Sequence, residues 1–203
     1  MNIVGIQESF NDYPDHISII MFTKYCTWDC SHCHNKYNLL KSDTLSKEYI
    51  YQYLEESKPL INHLVISGGE CTNEEDIVPF VKDLYERGFK IKIDTNGTNP
   101  DVLKQLLPYL SVVAMDIKED FDSFIKYNRI CRNLTEKEFK NVSESIKLLS
   151  DWYKDNSGNN ILIFRTTLFD NLIDTEIIER RLSECNYSYQ DYIIQSELTK
   201  TKR

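Results

Sequence analysis

Six short apolar runs, each followed by a polar motif and then by a helix-like stretch, constrain the fold of this 203-residue chain more than any other feature of its sequence. The runs cover residues 16–22, 64–66, 89–93, 112–115, 161–164 and 192–195. They are short and rich in Ile, Val, Leu and Phe, the composition of strands buried on both faces. Between them lie helix signals. Ser46 can cap a helix with Ile50 and Leu54 one turn apart. Ile77, Phe80, Val81, Leu84 and Tyr85 form an amphipathic stripe that stops at Gly88. Pro79 lacks an N–H, so that helix is expected to become regular only near Pro79, with residues 74–76 as a preceding turn. Asn99 and Pro100 read as N-cap and first helical residue, with Pro108 closing the segment. Thr135 and Glu138 form a capping box ahead of Phe139, Val142, Ile146 and Leu149, and Asp174 caps a last helix. Residues 1–15, with Asp12-Tyr13-Pro14, read as a turn-like lead-in, and residues 155–160 as a turn.

Strand and helix thus alternate about six times. Parallel strands joined by right-handed crossovers satisfy that order, and six units are too few to close an eight-stranded barrel. The expected fold is α/β: an open, six-stranded (βα)6 partial TIM barrel, with residues 1–203 forming one domain. Composition shows no break that would divide the chain.

In parallel α/β folds the loops at the carboxyl ends of the strands converge on one crevice. Every polar motif of this chain falls there. The first carries Cys26, Cys30 and Cys33 at spacing C-x3-C-x2-C. Three thiolates on one tight loop can ligate three irons of a cubane cluster and leave the fourth iron open to a small molecule. A structural zinc site completed by His32 or His34 would use the same residue types. A disulfide framework does not suit a chain of this length without a secretory signal. The later motifs are Ser67-Gly68-Gly69-Glu70, Asp94-Thr95-Asn96-Gly97, Asp116-Ile117-Lys118 and Arg165-Thr166-Thr167. Singly, each has a bland reading as a tight turn or a solvated charge. Their order after successive strands, with the cysteine loop first, ties them together.

The net charge of −8, from 32 acidic and 24 basic residues, and the lack of a dense basic cluster outside Lys200–Arg203 disfavour a nucleic-acid partner. No apolar run reaches the ~18–20 residues that span a bilayer. Six cysteines and an oxidisable cluster require a reducing compartment, so the cytoplasm is expected.

The cysteine spacing with its trailing Cys33-His34-Asn35, together with the four later motifs, Met115 ahead of Asp116, and the late Ile193-Ile194-Gln195, resembles the S-adenosylmethionine (SAM) radical superfamily. Within it the chain looks like the anaerobic ribonucleoside-triphosphate reductase activating proteins, with the pyruvate formate-lyase activating enzymes next. The resemblance implies a [4Fe–4S] cluster on Cys26, Cys30 and Cys33 and a SAM site built from His32, Gly68, Gly69, Glu70, Asp94, Asn96, Lys118 and Arg165. In that reading the glycines let backbone approach the ligand and Glu70 meets the methionine amine. Asp94 and Asn96 serve ribose or methionine, Lys118 and Arg165 serve carboxylate or ribose, and backbone near His32 touches adenine.

Two positions depart from the family pattern: Cys71 stands where Pro usually follows Gly-Gly-Glu, and Lys36 where Pro often follows Cys-His-Asn. Cys71 is expected to be a small buried residue, and Cys131 and Cys185 ordinary core residues. With no second C-x-x-C group, the electron is expected from an external donor such as flavodoxin or ferredoxin. The implied function is a radical SAM activase that makes a glycyl radical on an anaerobic ribonucleotide reductase. A short polar tail at 196–203 leaves the expected barrel open to an inserted protein segment. The alternatives are another small radical SAM enzyme, of the pyruvate formate-lyase activase or 7-carboxy-7-deazaguanine synthase kind, and a non-catalytic metal-binding or electron-transfer module.

Overall fold

Alternation along the strands divides the apolar side chains between the two faces of one sheet. The computed structural model describes residues 1–31, 33, 35, 42–156, 159–168, 173–185, 187, 189 and 191–195. Among these, seven strands form the sheet in chain order: β1 (Ile3–Tyr13), β2 (His16–Thr23), β3 (His63–Gly68), β4 (Lys90–Thr95), β5 (Val112–Asp116), β6 (Ile161–Thr167) and β7 (Asp191–Gln195). Strands β2 to β7 are all parallel, each paired with the next, which is the expected six-unit open α/β sheet. Because β2 to β7 run parallel, the loops after β2 to β6 all emerge at one edge.

The seventh strand corrects the reading of residues 1–15. β1 runs antiparallel to β2 and joins it through Pro14-Asp15, with Tyr13 opposite His16 and Asp15 at φ 59°. Only Ile3, Ser9 and Tyr13 of β1 are buried. An edge strand covered on one side carries Gln7, Glu8, Asn11 and Asp12 without penalty, so it lacks the continuous apolar run that marks its parallel neighbours.

One face of the sheet bears Ile19, Met21, Leu64, Ile66, Ile91, Ile93, Val113, Met115, Leu162 and Phe164, all packed with helix side chains in the main core. Each such side chain contributes about 1.5–3 kcal/mol by leaving water. The covering helices are α1 (Lys47–Ser57), α2 (Ile77–Glu86), α3 (Pro100–Leu106), α4 (Phe124–Cys131), α5 (Glu136–Asp155) and α6 (Thr175–Glu184). Ser46, Thr135 with Glu138, and Asp174 cap α1, α5 and α6 as their sequence signals predict. Helix α2 starts two residues before Pro79, which its first turn tolerates because the N–H there is unused. Asn99 does not cap α3; its amide instead donates to Thr72 Oγ1 and Asn73 Oδ1. Helix α4 has no counterpart in the sequence reading.

On the opposite face, Ile20, Val65, Lys92, Val112 and Ile161 form one row across five strands. Lys92, only 3% exposed, interrupts an otherwise apolar row. Above it, toward the carboxyl edge, the face turns polar with Ser67, Asp94, Asp116 and Arg165. His32, His34, Lys36, Ser157, Gly158 and residues 196–203 lie outside the described residues. Among the described residues no helix is long and apolar enough to cross a membrane.

Candidate functional site at the carboxyl edge of the sheet

The loop that carries Cys26, Cys30 and Cys33 leaves β2 and is held against β3 by backbone. Gly69 N donates to Thr23 O at 2.9 Å and Glu70 N to Tyr25 O at 2.7 Å. This close approach explains both glycines. A Cβ on Gly68 would stand 2.5 Å from Thr23 N, at a φ of 109°, and one on Gly69 would stand 2.1 Å from Tyr25 O. The described neighbour that demands glycine is thus the root of the cysteine loop. Asn35 donates to Gly68 O at 3.4 Å and strengthens the same junction.

Glu70 is 1% exposed and turned into its own loop. Its Oε1 accepts from Thr72 N (3.2 Å), Thr72 Oγ1 (2.6 Å) and Thr95 Oγ1 (2.8 Å), and its Oε2 from Asn96 N (2.7 Å). Burial pushes this carboxyl above the usual carboxylate range, against the pull of those donors. Glu70 therefore clamps the loop after β3 to the loop after β4. Asn96 extends the clamp: its Oδ1 accepts from Thr98 N at 3.0 Å, and its Nδ2 stands 3.9 Å from Cys26 Sγ.

Beside the clamp runs a ladder of alternating charge. Lys92 Nζ meets Asp94 Oδ1 at 2.6 Å, Asp94 Oδ2 meets Ser67 Oγ at 3.1 Å and Arg165 Nη1 at 3.3 Å. Arg165 Nε then meets Asp116 Oδ1, and Asp116 Oδ2 meets Lys118 Nζ, both at 2.8 Å. Burial alone would raise the Asp94 carboxyl, but Arg165 and Lys92 hold it below the usual range; Arg165 and Lys118 do the same for Asp116. Three cations face two carboxylates, which leaves one positive charge in excess at the rim. Such an edge suits a ligand that brings a carboxylate.

Of the sequence candidates, Gly68, Gly69, Glu70, Asp94, Asn96, Lys118 and Arg165 are brought together with the cysteine loop, and His32 lies outside the described residues. Lys92 and Asp116 complete the ladder. Cys71 is fully buried and donates to Asp94 O at 3.5 Å, and Cys131 is buried; Cys185 is exposed at the end of α6, contrary to its expected place in the core.

The donor set fits a thiophilic metal centre. Three free cysteines share one loop, with Cys26 and Cys33 exposed and Cys30 half-buried. Cys30 has its thiol pulled down to about 7, first by a hydrogen bond from Cys131 and then, against the effect of burial, by the Lys118 ammonium. The buried Trp28 indole N–H, two residues from both Cys26 and Cys30, has no acceptor among the described residues, and a bound sulfide or thiolate would provide one. No three His, Cys, Asp or Glu side chains among the described residues already stand together as a closed metal-binding group.

The sequence profile of the Radical SAM superfamily matches residues 20–175. A Methanocaldococcus jannaschii protein, provisionally named a glycyl-radical enzyme activating enzyme, is 33% identical over 189 residues, which are 89% of this chain and 75% of that one. The pyruvate formate-lyase-activating enzyme of Clostridium pasteurianum is 28% identical over 117 residues, 54% of this chain and 49% of its own length. A provisionally named GTP 3′,8-cyclase of Pyrococcus horikoshii is 27% identical over 131 residues, 64% of this chain and 42% of its own. Among solved structures, Streptococcus suis SuiB aligns with a TM-score of 0.62 at 17% identity, covering 91% of this chain and 40% of SuiB. The chain thus spans three quarters of the first relative and half or less of the others.

Proposed function

We propose that this chain, which belongs to the Radical SAM superfamily, is the activase of a glycyl-radical enzyme, and that its target is the catalytic subunit of an anaerobic ribonucleoside-triphosphate reductase. Cys26, Cys30 and Cys33 would hold a [4Fe–4S] cluster, and SAM would lie along the rim. The chemistry that this pair supplies when bound is reductive cleavage of the SAM carbon–sulfur bond followed by abstraction of a hydrogen atom.

The protein's own part is orientation. Glu70 and Asn96 fix the loops beside Cys26, and the excess cation of the ladder, at Lys118 or Arg165, would receive the methionine carboxylate. Glu70, buried against four donors, would act on the amine through the backbone it shapes and through the remaining lone pairs of Oε2. The apolar row beneath would keep water from the floor of the site. The observation that carries this reading is the contact of Asn96 with Cys26 at one end of a rim that also holds the ladder. The similarity to an activase-named relative over 89% of this chain supports the narrower assignment. Cys71, Cys131 and Cys185 are too dispersed in sequence to form a second ligand loop, so the electron would come from a separate flavodoxin or ferredoxin in the cytoplasm.

The similarity to a GTP cyclase favours one competing reading, a small-molecule substrate. One experiment separates the two. The protein is reconstituted with iron and sulfide without oxygen, reduced, and mixed with SAM and the reductase; a glycyl doublet in the electron paramagnetic resonance spectrum is expected. SAM cleavage without that doublet would remove the reductase as target, and zinc in place of iron in anaerobically purified protein would remove the radical chemistry.

A further inference from the structure

The cysteine loop rests on the end of helix α4. A helix leaves its last carbonyls without partners, and here the cysteine loop takes two of them: Ser31 N donates to Ile130 O and Asp29 N to Cys131 O, each at 3.0 Å. These two bonds bracket Cys30 and set it beside the buried Cys131, whose thiol is the leading influence that lowers that of Cys30. Further contacts hold the same junction. The buried Trp28 ring meets Tyr127 of α4 edge-on with centroids 6.0 Å apart, and Thr27 Oγ1 donates to Glu138 Oε1 of α5 at 3.0 Å. After Cys131 the chain turns away through Arg132 at φ 45° and Asn133 at φ 54°. A positive φ is uncommon for residues other than glycine.

We propose that Cys131 is a positioning residue for metal-bound Cys30: its S–H donates to the Cys30 sulfur, fixes the direction of that ligand and raises the reduction potential of the group it binds. The proposal rests on the reading of Cys30 as a cluster ligand. An iron-bound thiolate keeps lone pairs that accept hydrogen bonds. A donor at that sulfur withdraws electron density, favours the more negative reduced state, and so moves the potential upward. The backbone bonds from Asp29 and Ser31 would hold Cys30 near α4 without the Cys131 thiol, so removing that thiol separates tuning from anchoring.

The test is a redox titration followed by electron paramagnetic resonance on anaerobically reconstituted full chain, comparing wild type with Cys131→Ala, Cys131→Ser and Cys185→Ala. Equal iron content is expected in all four. Cys131→Ala should shift the midpoint to lower potential, Cys131→Ser, which restores a donor, should move it back toward wild type, and Cys185→Ala should leave it in place. A full cluster in Cys131→Ala at the wild-type potential overturns the proposal, as does an equal shift in the Ala and Ser variants, which would mark a packing role. Should Cys131→Ala fail to hold iron, retention by Cys131→Ser supports the donor role and loss from both refutes it. Wild type without iron would instead defeat the cluster reading itself, and the proposal with it.

Discussion

Glu70, in the loop after β3, and Asp94, near the end of β4, have carboxyl pKa values that move in opposite directions, because burial outweighs the neutral donors around the first whereas Arg165 and Lys92 outweigh burial at the second. Their effects on stability against pH are therefore opposite in sign. Asp94, with its folded pKa depressed, contributes stability that is present above the ordinary carboxylate range and lost as pH falls through and below it. Glu70, with its folded pKa raised, contributes stability that is full below that range and declines as pH rises through its folded value. We expect Asp94→Asn to flatten the acid limb of a urea-midpoint profile between about pH 3 and 5, and Glu70→Gln to approach wild type as pH rises; parallel profiles would contradict both assignments. Lys92 makes a separate prediction. Lys92→Met removes a charged donor from Asp94 and should cost about 1.5–3 kcal/mol by denaturant titration. Gly69→Ala would drive a Cβ into Tyr25 backbone, and a loss of about 1–3 kcal/mol together with reduced iron uptake is expected.

Among the elements, α5 shows what local sequence can specify. Its capping box is formed as Thr135 and Glu138 predict, so Thr135→Ala should cost about 1 kcal/mol in a urea melt, and an unchanged midpoint would mean that packing alone holds that end. The caps of α1 and α6, the six parallel strands and the placement of the motifs at their carboxyl ends were equally legible, because each depends on residues within a few positions of one another. Two elements were not. β1 is a half-exposed edge strand whose polar residues hide its alternation. Helix α4 buries only Tyr127, Ile130 and Cys131, and its start at Ser123 makes no side-chain cap; the spacing of Phe124, Tyr127 and Ile130 was the signal that could have revealed it. The ladder was half-legible for a related reason. Asp94, Lys118 and Arg165 stood out on motifs, whereas Lys92 shares its strand and face with exposed Lys90. Only the position along the folded strand, with Asp94 beside it, makes Lys92 a buried partner while Lys90 stays exposed.

At the scale of the whole molecule, one face of the sheet carries the helices and the main core, and the carboxyl edge carries the candidate site. Besides its own bond from Cys33 N to Cys30 O, the cysteine loop draws its support from the carboxyl end of β3, the end of α4 and the start of α5. Iron loading should therefore tighten a region already in place: removal of the metal is expected to lower the melting temperature by about 2–4 °C for each kcal/mol of linkage lost, and to raise amide exchange chiefly in residues 24–31. Uniform loss of protection across the sheet would point instead to a fold that needs the metal to form. The bonds from Asp29 and Ser31 to the end of α4 also bear on how the protein is made. Their partners lie about a hundred residues downstream, and Glu138 of α5 farther still. A ribosome adding roughly 5–20 residues per second needs on the order of 5–20 s to supply that stretch. For that interval Cys26 and Cys30 emerge without the platform that orders their loop, so under the proposed function delivery of iron and sulfide belongs to the time after most of the chain has left the ribosome.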